Sequence, residues 1–227
     1  MFISTIEKVK QAIGPVICPH VAAEHKIEVG PVHGTAFFID TRGVFLTAGH
    51  VIKGLLEAGE GKHCEAPAVF VPRNEWTLEK FDFFALRFTP SDCKLDEGAD
   101  LARCKTIDDP ALVDKIVSKP AALTIVGDIQ PDGTPVAFSG FPVNALIPYT
   151  ARANVAGYQL VGTGTPQHLQ AFGIVLDKAV WPGASGGPVY RQDGRVIGML
   201  LQRGTGETAG LAFARHGARI NDFLSAP

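Results

Sequence analysis

The chain has 227 residues, of which 46% are hydrophobic and 19% are charged, and its formal net charge is −2 at pH 7. That length suits one domain, or two small subdomains that share an interface, with ample apolar material for a core. The near-neutral charge offers no excess of positive charge to bind nucleic acid or an anionic membrane surface. The composition therefore argues against polyanion binding as a function.

The first residues predict a short amphipathic helix. Ser4 and Glu7 have the spacing of a capping box, and Gly14 and Pro15 form a typical helix stop. We interpret this segment as a structural helix docked on the core rather than as a targeting or partner-binding element. No apolar core of an export signal and no apolar run of about 18 residues appears, so we expect a cytoplasmic protein with no membrane partner.

The cysteines are scattered without a C-x-x-C pair. In a chain without an export signal, we expect them to be free thiols rather than a disulfide framework. One group, Cys18, His20 and His25, has metal-binding residue types, but Pro19 intervenes and no second cluster follows. We therefore predict no metal site and no cofactor. The four cysteines are Cys18, Cys64, Cys93 and Cys104.

After the first helix, short apolar and β-branched runs recur at intervals of roughly ten residues and are bounded by turn residues, a pattern typical of a β-barrel or β-sandwich. Hairpin turns are expected at Asp40 to Gly43 and at Asp193 to Gly194. Helix is expected only at the chain ends and after His50. The polar segment 106–119 lacks strand alternation and is expected to connect two β subdomains. The runs include "GTAFFID", "GVFLTAG", "APAVFVP", "FDFFALRF", "PVAFSGF", "FGIVLDK" and "VIGMLLQ".

The segment "WPGASGGPVY" surrounds Ser185 with glycine and proline. One interpretation is an ordinary turn, because this chain is rich in both residues. The other is that Gly183, Ala184, Gly186 and Gly187 let the backbone bend tightly and expose converging N–H groups beside Ser185, which form an anion-binding nest. A nucleophilic serine needs such a nest to stabilise the oxyanion that its attack creates.

A nucleophilic serine also needs a base and an acid that orients the base. His50 follows the strand-like run "GVFLTAG" and opens a helical stretch, a position where β scaffolds carry catalytic side chains. Asp82 and Asp100 are both candidates for the acid. We favour Asp100, which follows a glycine-containing turn, over Asp82, which lies inside a strand-like run.

These motifs resemble those of the trypsin-like, chymotrypsin-fold serine peptidases, in the bacterial branch that includes the peptidase domain of the HtrA proteins. The matching pieces, in the family's order of His, Asp and Ser, are "HGTAFFI", "FLTAGHV", "DLA", "VAFSGFP", "GASGGPV" and "GRVIGMLL" with "GLAFA". The resemblance implies an all-β fold of two six-stranded antiparallel barrels with an N-terminal and a C-terminal helix, and no peptide-binding PDZ module.

The resemblance also implies a division of the chain. His50 and Asp100 would come from the first barrel and Ser185 from the second, with the amides of Gly183 and Ser185 as the oxyanion hole. The expected segments are an N-terminal helix and first segment (1–26), a first barrel (27–105), a connection (106–119), a second barrel (120–215) and a C-terminal helix (216–227).

By the same resemblance, five residues line the pocket for the side chain before the scissile bond. With Ala179 at its base in place of an acid, we expect a preference for small or medium apolar side chains, while Arg203 could instead attract an acidic one. Ala184 stands where the animal digestive members carry an aspartate, so activation through an ion pair with a new N-terminus is not expected. The pocket residues are Ala179, Leu201, Gln202, Arg203 and Gly210.

The sequence therefore predicts a serine endopeptidase that acts on polypeptides. An α/β-hydrolase, which also uses G-x-S-x-G, is excluded because a β-rich segment follows Ser185 and too little chain remains for the acid and the histidine. Two alternatives stay open: an inactive relative that serves as a binding module, and a latent peptidase switched on by a regulatory partner.

Overall fold

A computed structural model describes residues 2–21, 27–28, 30–57, 64, 66–72, 83–107, 121–160 and 172–226. The helices are α1 (Phe2–Lys10), α2 (Gly49–Leu56) and, at the end of the chain, α3 (Gly217–Ser225). Among the helices of the described ranges, none has the length and apolar character needed to cross a membrane.

The strands fall into a group before residue 107 and a group after residue 134. The first group comprises β1 (Ile13–Ile17), β2 (His20–Val21), β3 (Ile27–Glu28), β4 (Val32–Phe38), β5 (Val44–Ala48), β6 (Ala68–Pro72), β7 (Phe83–Arg87), β8 (Lys94–Asp96) and β9 (Leu101–Lys105). The second comprises β10 (Pro135–Gly140), β11 (Tyr149–Leu160), β12 (Phe172–Leu176), β13 (Pro188–Tyr190), β14 (Val196–Arg203) and β15 (Ala212–His216).

The second group forms the closed six-stranded barrel that the resemblance implies, in the order β10-β11-β12-β15-β14-β13. Every neighbouring pair is antiparallel. Its interior is filled by an apolar cluster of which Val136, Ile174, Leu176, Ile197 and Leu200 are each fully buried. Because the barrel is closed, none of its six described strands has an unpaired edge.

The first group departs from the expected six-stranded barrel. It is an open seven-stranded antiparallel sheet in the order β7-β6-β1-β4-β5-β9-β8. The short strand β8 pairs with β9 only over Leu101–Arg103. The residues that follow this pairing in β9 remain free to approach β7, the strand at the other edge of the sheet. In the described residues, the chain after β7 and the chain after β9 meet at one isolated bridge, between Phe88 and Thr106.

The terminal helices pack against these sheets. Helix α1 buries Phe2 and Val9 in the main core and begins at Phe2, two residues before the predicted cap Ser4. Helix α3 buries Ile220 and Phe223 and is capped by His216, whose Nδ1 accepts the Ala218 N–H at 3.2 Å. Burial lowers the pKa of His216, so the neutral, hydrogen-bond-accepting form of the ring is favoured.

The expectation of free thiols was wrong, because the structure pairs the cysteines as Cys18–Cys64 and Cys93–Cys104. Strand register sets the second of these pairs. Cys93 precedes β8 and Cys104 lies in β9, where the pairing of Lys94 with Arg103 brings the two cysteines opposite each other. Their Cα atoms are 4.4 Å apart, within the range that a disulfide spans.

The predicted connection 106–119 lies almost wholly outside the described residues, as do the alternative acid Asp82 and the histidine His25. The two hairpin turns lie within them. Gly43 and Gly194 both have positive φ, at 90° and 85°, between the strands that each turn joins.

Candidate active site

His50 is the second residue of α2, immediately beyond the end of β5. The backbone N–H of the preceding Gly49 donates to the carbonyl oxygen of Asp100 at 3.0 Å. The start of the helix is thereby tied to the start of β9. The His50 side chain is 49% exposed, so its ring is accessible from the solvent.

Both carboxylate oxygens of Asp100 contact His50. Oδ1 accepts the backbone N–H of His50 at 2.8 Å, and Oδ2 lies 2.8 Å from Nδ1 of the His50 ring. When the Nδ1 proton is donated to this carboxylate, Nε2 is left with its lone pair free to accept a proton. The contact therefore favours the tautomer that a general base requires.

The carboxylate of Asp100 is held by an unusual backbone conformation. Asp100 has a φ of 54°, in the left-handed region that aspartate tolerates better than most residues. The turn that carries it is closed by the Ala99 N–H, which donates to Oδ1 of Asp96 at 2.9 Å. Sequence reasoning identified the glycine-containing turn but not this geometry.

Ser185 lies in the segment between the second barrel's β12 and β13 and lines the same cleft as His50 and Asp100. Its Oγ donates a hydrogen bond to the carbonyl oxygen of Leu201 at 2.8 Å. Within the described residues, it makes no hydrogen bond with His50. The three side chains thus share one cleft, with the serine hydroxyl turned toward a backbone acceptor.

The peptide that joins Pro182 to Gly183 is oriented by a neighbouring loop. The Val143 N–H donates to the Pro182 carbonyl oxygen at 2.8 Å. In a trans peptide, the N–H points away from the carbonyl, so the Gly183 N–H is directed away from Val143. Across the described part of the chain, neither the Gly183 N–H nor the Ser185 N–H donates to a protein acceptor, so both amides are available to an anion.

Two glycines meet steric requirements of this segment. Gly183 has a φ of 93°, and a Cβ there would lie 2.4 Å from the Phe141 carbonyl oxygen. Gly186 has a φ of 88°, and a Cβ there would lie 2.1 Å from the Thr35 carbonyl oxygen. The glycines on either side of Ser185 therefore permit both the backbone bend and the close packing of the segment.

Thr35, which sequence reasoning treated only as part of a strand, connects the first sheet to the serine segment. Its Oγ1 donates to the Gly183 carbonyl oxygen at 2.8 Å and accepts the Phe141 N–H at 3.0 Å. Its own N–H donates to the Ser185 carbonyl oxygen at 2.8 Å. No local pattern in the sequence marks this residue, because these three partners lie more than 100 positions away.

A cleft of about 510 Å³ opens beside His50 and Ser185. Three of the five predicted pocket residues line it, namely Leu201, Gln202 and Arg203, whereas Ala179 and Gly210 are not among its lining residues. One part of the wall is apolar and is formed by Leu95, Val180, Trp181, Pro182, Leu200 and Leu201. The rim is charged and includes Lys53, Asp96, Glu97 and Arg203.

Of the group of residues considered for a metal, Cys18 is engaged in a disulfide. Cys18 is bonded to Cys64, and His25 lies outside the described residues. In the ranges that the structure describes, no cluster of three or more histidine, cysteine, aspartate or glutamate side chains is arranged to hold a metal ion.

The comparisons with known proteins agree with this architecture. The family model described as the trypsin-like peptidase domain matches residues 34–199, which is most of the chain. A comparison with curated protein sequences finds no match. Two solved structures are similar over almost the whole chain, and both are proteases.

One is the Rv3671c protease from M. tuberculosis in its active form, with 16% identity and a TM-score of 0.68, covering 97% of this chain and 82% of that one. The other is the HtrA-type protease AlgW with a decapeptide, also with 16% identity and with a TM-score of 0.73, covering 99% of this chain and 67% of that one. At this identity, the likenesses show the fold.

Proposed function

The chain belongs to the trypsin-like peptidase family and is a serine peptidase, and we propose that it is an endopeptidase that cleaves polypeptides through His50, Asp100 and Ser185. The observation that supports this proposal most strongly is the two-point contact of Asp100 with the backbone and the ring of His50, in the cleft that Ser185 also lines.

In the proposed mechanism, Nε2 of His50 removes the Ser185 hydroxyl proton as Oγ bonds to the carbonyl carbon of the scissile peptide. Asp100 stabilises the imidazolium that forms, and the N–H groups of Gly183 and Ser185 bind the oxyanion. His50 then protonates the departing amine, which leaves an acyl-enzyme. Water, deprotonated by His50, attacks the ester, and collapse of the second tetrahedral intermediate returns the Ser185 hydroxyl and releases the acid.

This mechanism requires the Ser185 hydroxyl to leave the Leu201 carbonyl and turn toward His50. Such a turn exchanges the hydrogen bond to Leu201 for one to the His50 ring. The orientation of the Pro182–Gly183 peptide supports a preformed oxyanion hole, since the amides already lack protein acceptors in the described residues.

We test the proposed function with a fluorophosphonate probe, which reacts covalently with an activated serine. Incubation of the purified protein should give one adduct by intact mass, and peptide mapping should place it on Ser185. His50→Ala should abolish the adduct, because the serine then lacks its base. An adduct that persists in His50→Ala, or that maps to another residue, would contradict the proposed pairing.

Absence of an adduct would favour the second candidate, a latent peptidase activated by a regulatory partner. The direction of the Ser185 hydroxyl, toward Leu201 rather than His50, is the observation that supports this candidate. An inactive relative used as a binding module is the remaining alternative. Adding candidate activating peptides to the same probe assay separates the two, because only a latent enzyme gains an adduct.

For the substrate, we propose a small or medium apolar side chain before the scissile bond. The apolar wall beside Ser185 includes Val180 and Leu201, which are 6% and 5% exposed. Arg203, exposed on the same cleft, supports the rival preference for an acidic side chain.

A chromogenic peptide library that varies only this position distinguishes the two preferences. We expect kcat/KM to be highest for Ala, Val or Leu and at least about tenfold lower for Arg, because a charged side chain in an apolar pocket loses its hydration. Faster cleavage after Arg would contradict the apolar preference, and faster cleavage after Asp or Glu would favour recognition by Arg203.

The cellular location stays a prediction. The sequence-based expectation is cytoplasmic, but the two disulfides weigh against it, because disulfides persist mainly in oxidising compartments. The expectations of no nucleic-acid partner and no membrane partner likewise stay predictions.

A further inference from the structure

Arg215 carries a charge that the proposed mechanism does not use. It lies in β15 of the second barrel and is only 2% exposed. An arginine side chain stays charged in proteins, and a buried charge requires an opposite charge or full hydrogen bonding. Yet in the described part of the chain, its Nη1 has no hydrogen-bond partner. A nearby carboxylate must therefore balance Arg215.

Among the carboxylates that act on Arg215, Asp100 has the strongest effect. Burial lowers the pKa of Arg215, and the negative charge of Asp100 is the largest of the charges that oppose this shift. Asp96 acts in the same direction more weakly, and it is already hydrogen-bonded to Arg219 of α3. Asp100 also binds His50, so the charge of Arg215 acts on a carboxylate that contacts the proposed base.

A direct contact reinforces this electrostatic pairing. Nε of Arg215 donates to the carbonyl oxygen of Ala99 at 2.7 Å, and Ala99 immediately precedes Asp100 in the turn. Ala99 is itself 1% exposed, so this hydrogen bond is shielded from water. One side chain of the second barrel therefore reaches across and holds the turn of the first sheet that carries the acid.

We propose that Arg215 is a positioning residue for the catalytic acid, holding the left-handed turn at Asp100 through Ala99 and supplying the fixed positive charge that balances the Asp100 carboxylate. This inference rests on the proposed function, because it assigns to Arg215 a role in supporting the proposed His50–Asp100 pair. No sequence motif pointed to it.

The remaining charged groups near this pair are more exposed and offset one another. Lys53 of α2 pairs with Glu97 of the acid turn at 3.1 Å, and the Glu97 side chain is 72% exposed. Arg219 pairs with Asp96. His216, next to Arg215 in β15, is favoured in its neutral form by burial. Arg215 is therefore the charge whose removal should affect the His50–Asp100 pair most.

The test follows the titration of His50 by NMR in the Ser185→Ala background, which prevents self-cleavage. The His50 resonance is assigned by its loss in His50→Gln. In Arg215→Gln, which keeps an amide donor for Ala99 but removes the charge, we expect the titration midpoint of His50 to rise by about 0.5–1 pH unit. The reason is that loss of a nearby positive charge makes a protonated ring easier to form.

Arg215→Lys keeps the charge and should restore the midpoint to within about 0.3 pH unit of the reference protein. Arg195→Met, at an exposed arginine that does not line the cleft, serves as a matched control that should leave the midpoint unchanged. A lower unfolding temperature in Arg215→Gln with an unchanged midpoint would overturn the proposal. If Arg215→Gln does not fold, Arg215→Lys provides the test. A His50 midpoint in Arg215→Lys that differs from the reference protein by more than about 0.5 pH unit, the size expected for a lost charge, would overturn the proposal.

Activity measurements separate this inference from the proposed function. In an active enzyme with Ser185 restored, the acid limb of the kcat/KM profile should move to higher pH by the same amount in Arg215→Gln. If the parent enzyme neither hydrolyses peptides nor reacts with the probe, but the midpoint still depends on Arg215, the peptidase proposal fails while the charge coupling stands. If the parent enzyme is active but the acid limb is unchanged in Arg215→Gln, the inference about Arg215 fails while the peptidase proposal stands.

Discussion

Replacing Ser185 with alanine is expected to lower kcat for peptide hydrolysis by roughly 10⁵- to 10⁶-fold, the largest effect that we predict for a single substitution. The reason is that the acyl-enzyme cannot form without Oγ, and the rest of the site contributes only the residual catalysis of binding and oxyanion stabilisation. The fold should be little affected, because among the described residues the hydroxyl makes a single hydrogen bond, to the Leu201 carbonyl.

The measurement is the initial rate on the best peptide of the library, with the active-site concentration of the parent enzyme determined by the fluorophosphonate probe and that of the variant taken from its protein concentration. Ser225→Ala, at the exposed end of α3, is the matched control and should retain full activity. Hydrolysis by Ser185→Ala at the rate of the parent enzyme would remove Ser185 as the nucleophile.

Replacing Asp100 with asparagine is expected to lower kcat by roughly 10³- to 10⁴-fold, with a much smaller change in KM. Asparagine nearly preserves the shape of the side chain, but its amide group can donate to Nδ1 of His50. The ring then carries its proton on Nε2, where it cannot accept one from Ser185. The loss therefore reports the tautomer of His50 rather than a change in packing.

Asp82→Asn is the comparison that decides between the two candidate acids. Because Asp100 is the carboxylate that contacts the His50 ring, we expect the Asp82 substitution to change kcat by less than about tenfold. Far-UV circular dichroism and unfolding temperature should be measured for both variants. A larger loss of kcat in Asp82→Asn than in Asp100→Asn would reverse the assignment of the acid.

Much of the candidate site was accessible from the sequence because its signals are local. The run "FLTAGH" predicts a strand that ends just before His50, and "GASGG" predicts a tight bend at Ser185. Each depends on residues within a few positions of each other, where turn chemistry and side-chain pattern decide the backbone. The order of the three motifs indicated the family, which the family model then showed.

The errors arose where strand register or strand pairing decides the outcome. The cysteines were expected to be free, but the pairing of β8 with β9 brings Cys93 opposite Cys104. A second closed barrel was expected, but the short β8 occupies part of the edge of β9 and leaves the first sheet open. Neither pairing has a signature in the composition of a single strand.

By itself, the sequence determined the β-rich class, the terminal helices and the local bends at His50 and Ser185, because short-range turn chemistry and side-chain periodicity fix these features. Only the tertiary structure decided what holds the site: Thr35 on the serine segment, Val143 on the Pro182 carbonyl and Arg215 behind Asp100. These contacts join residues distant in the sequence, and a hydrogen bond or charge pair between such residues exists only once the chain packing has brought them together.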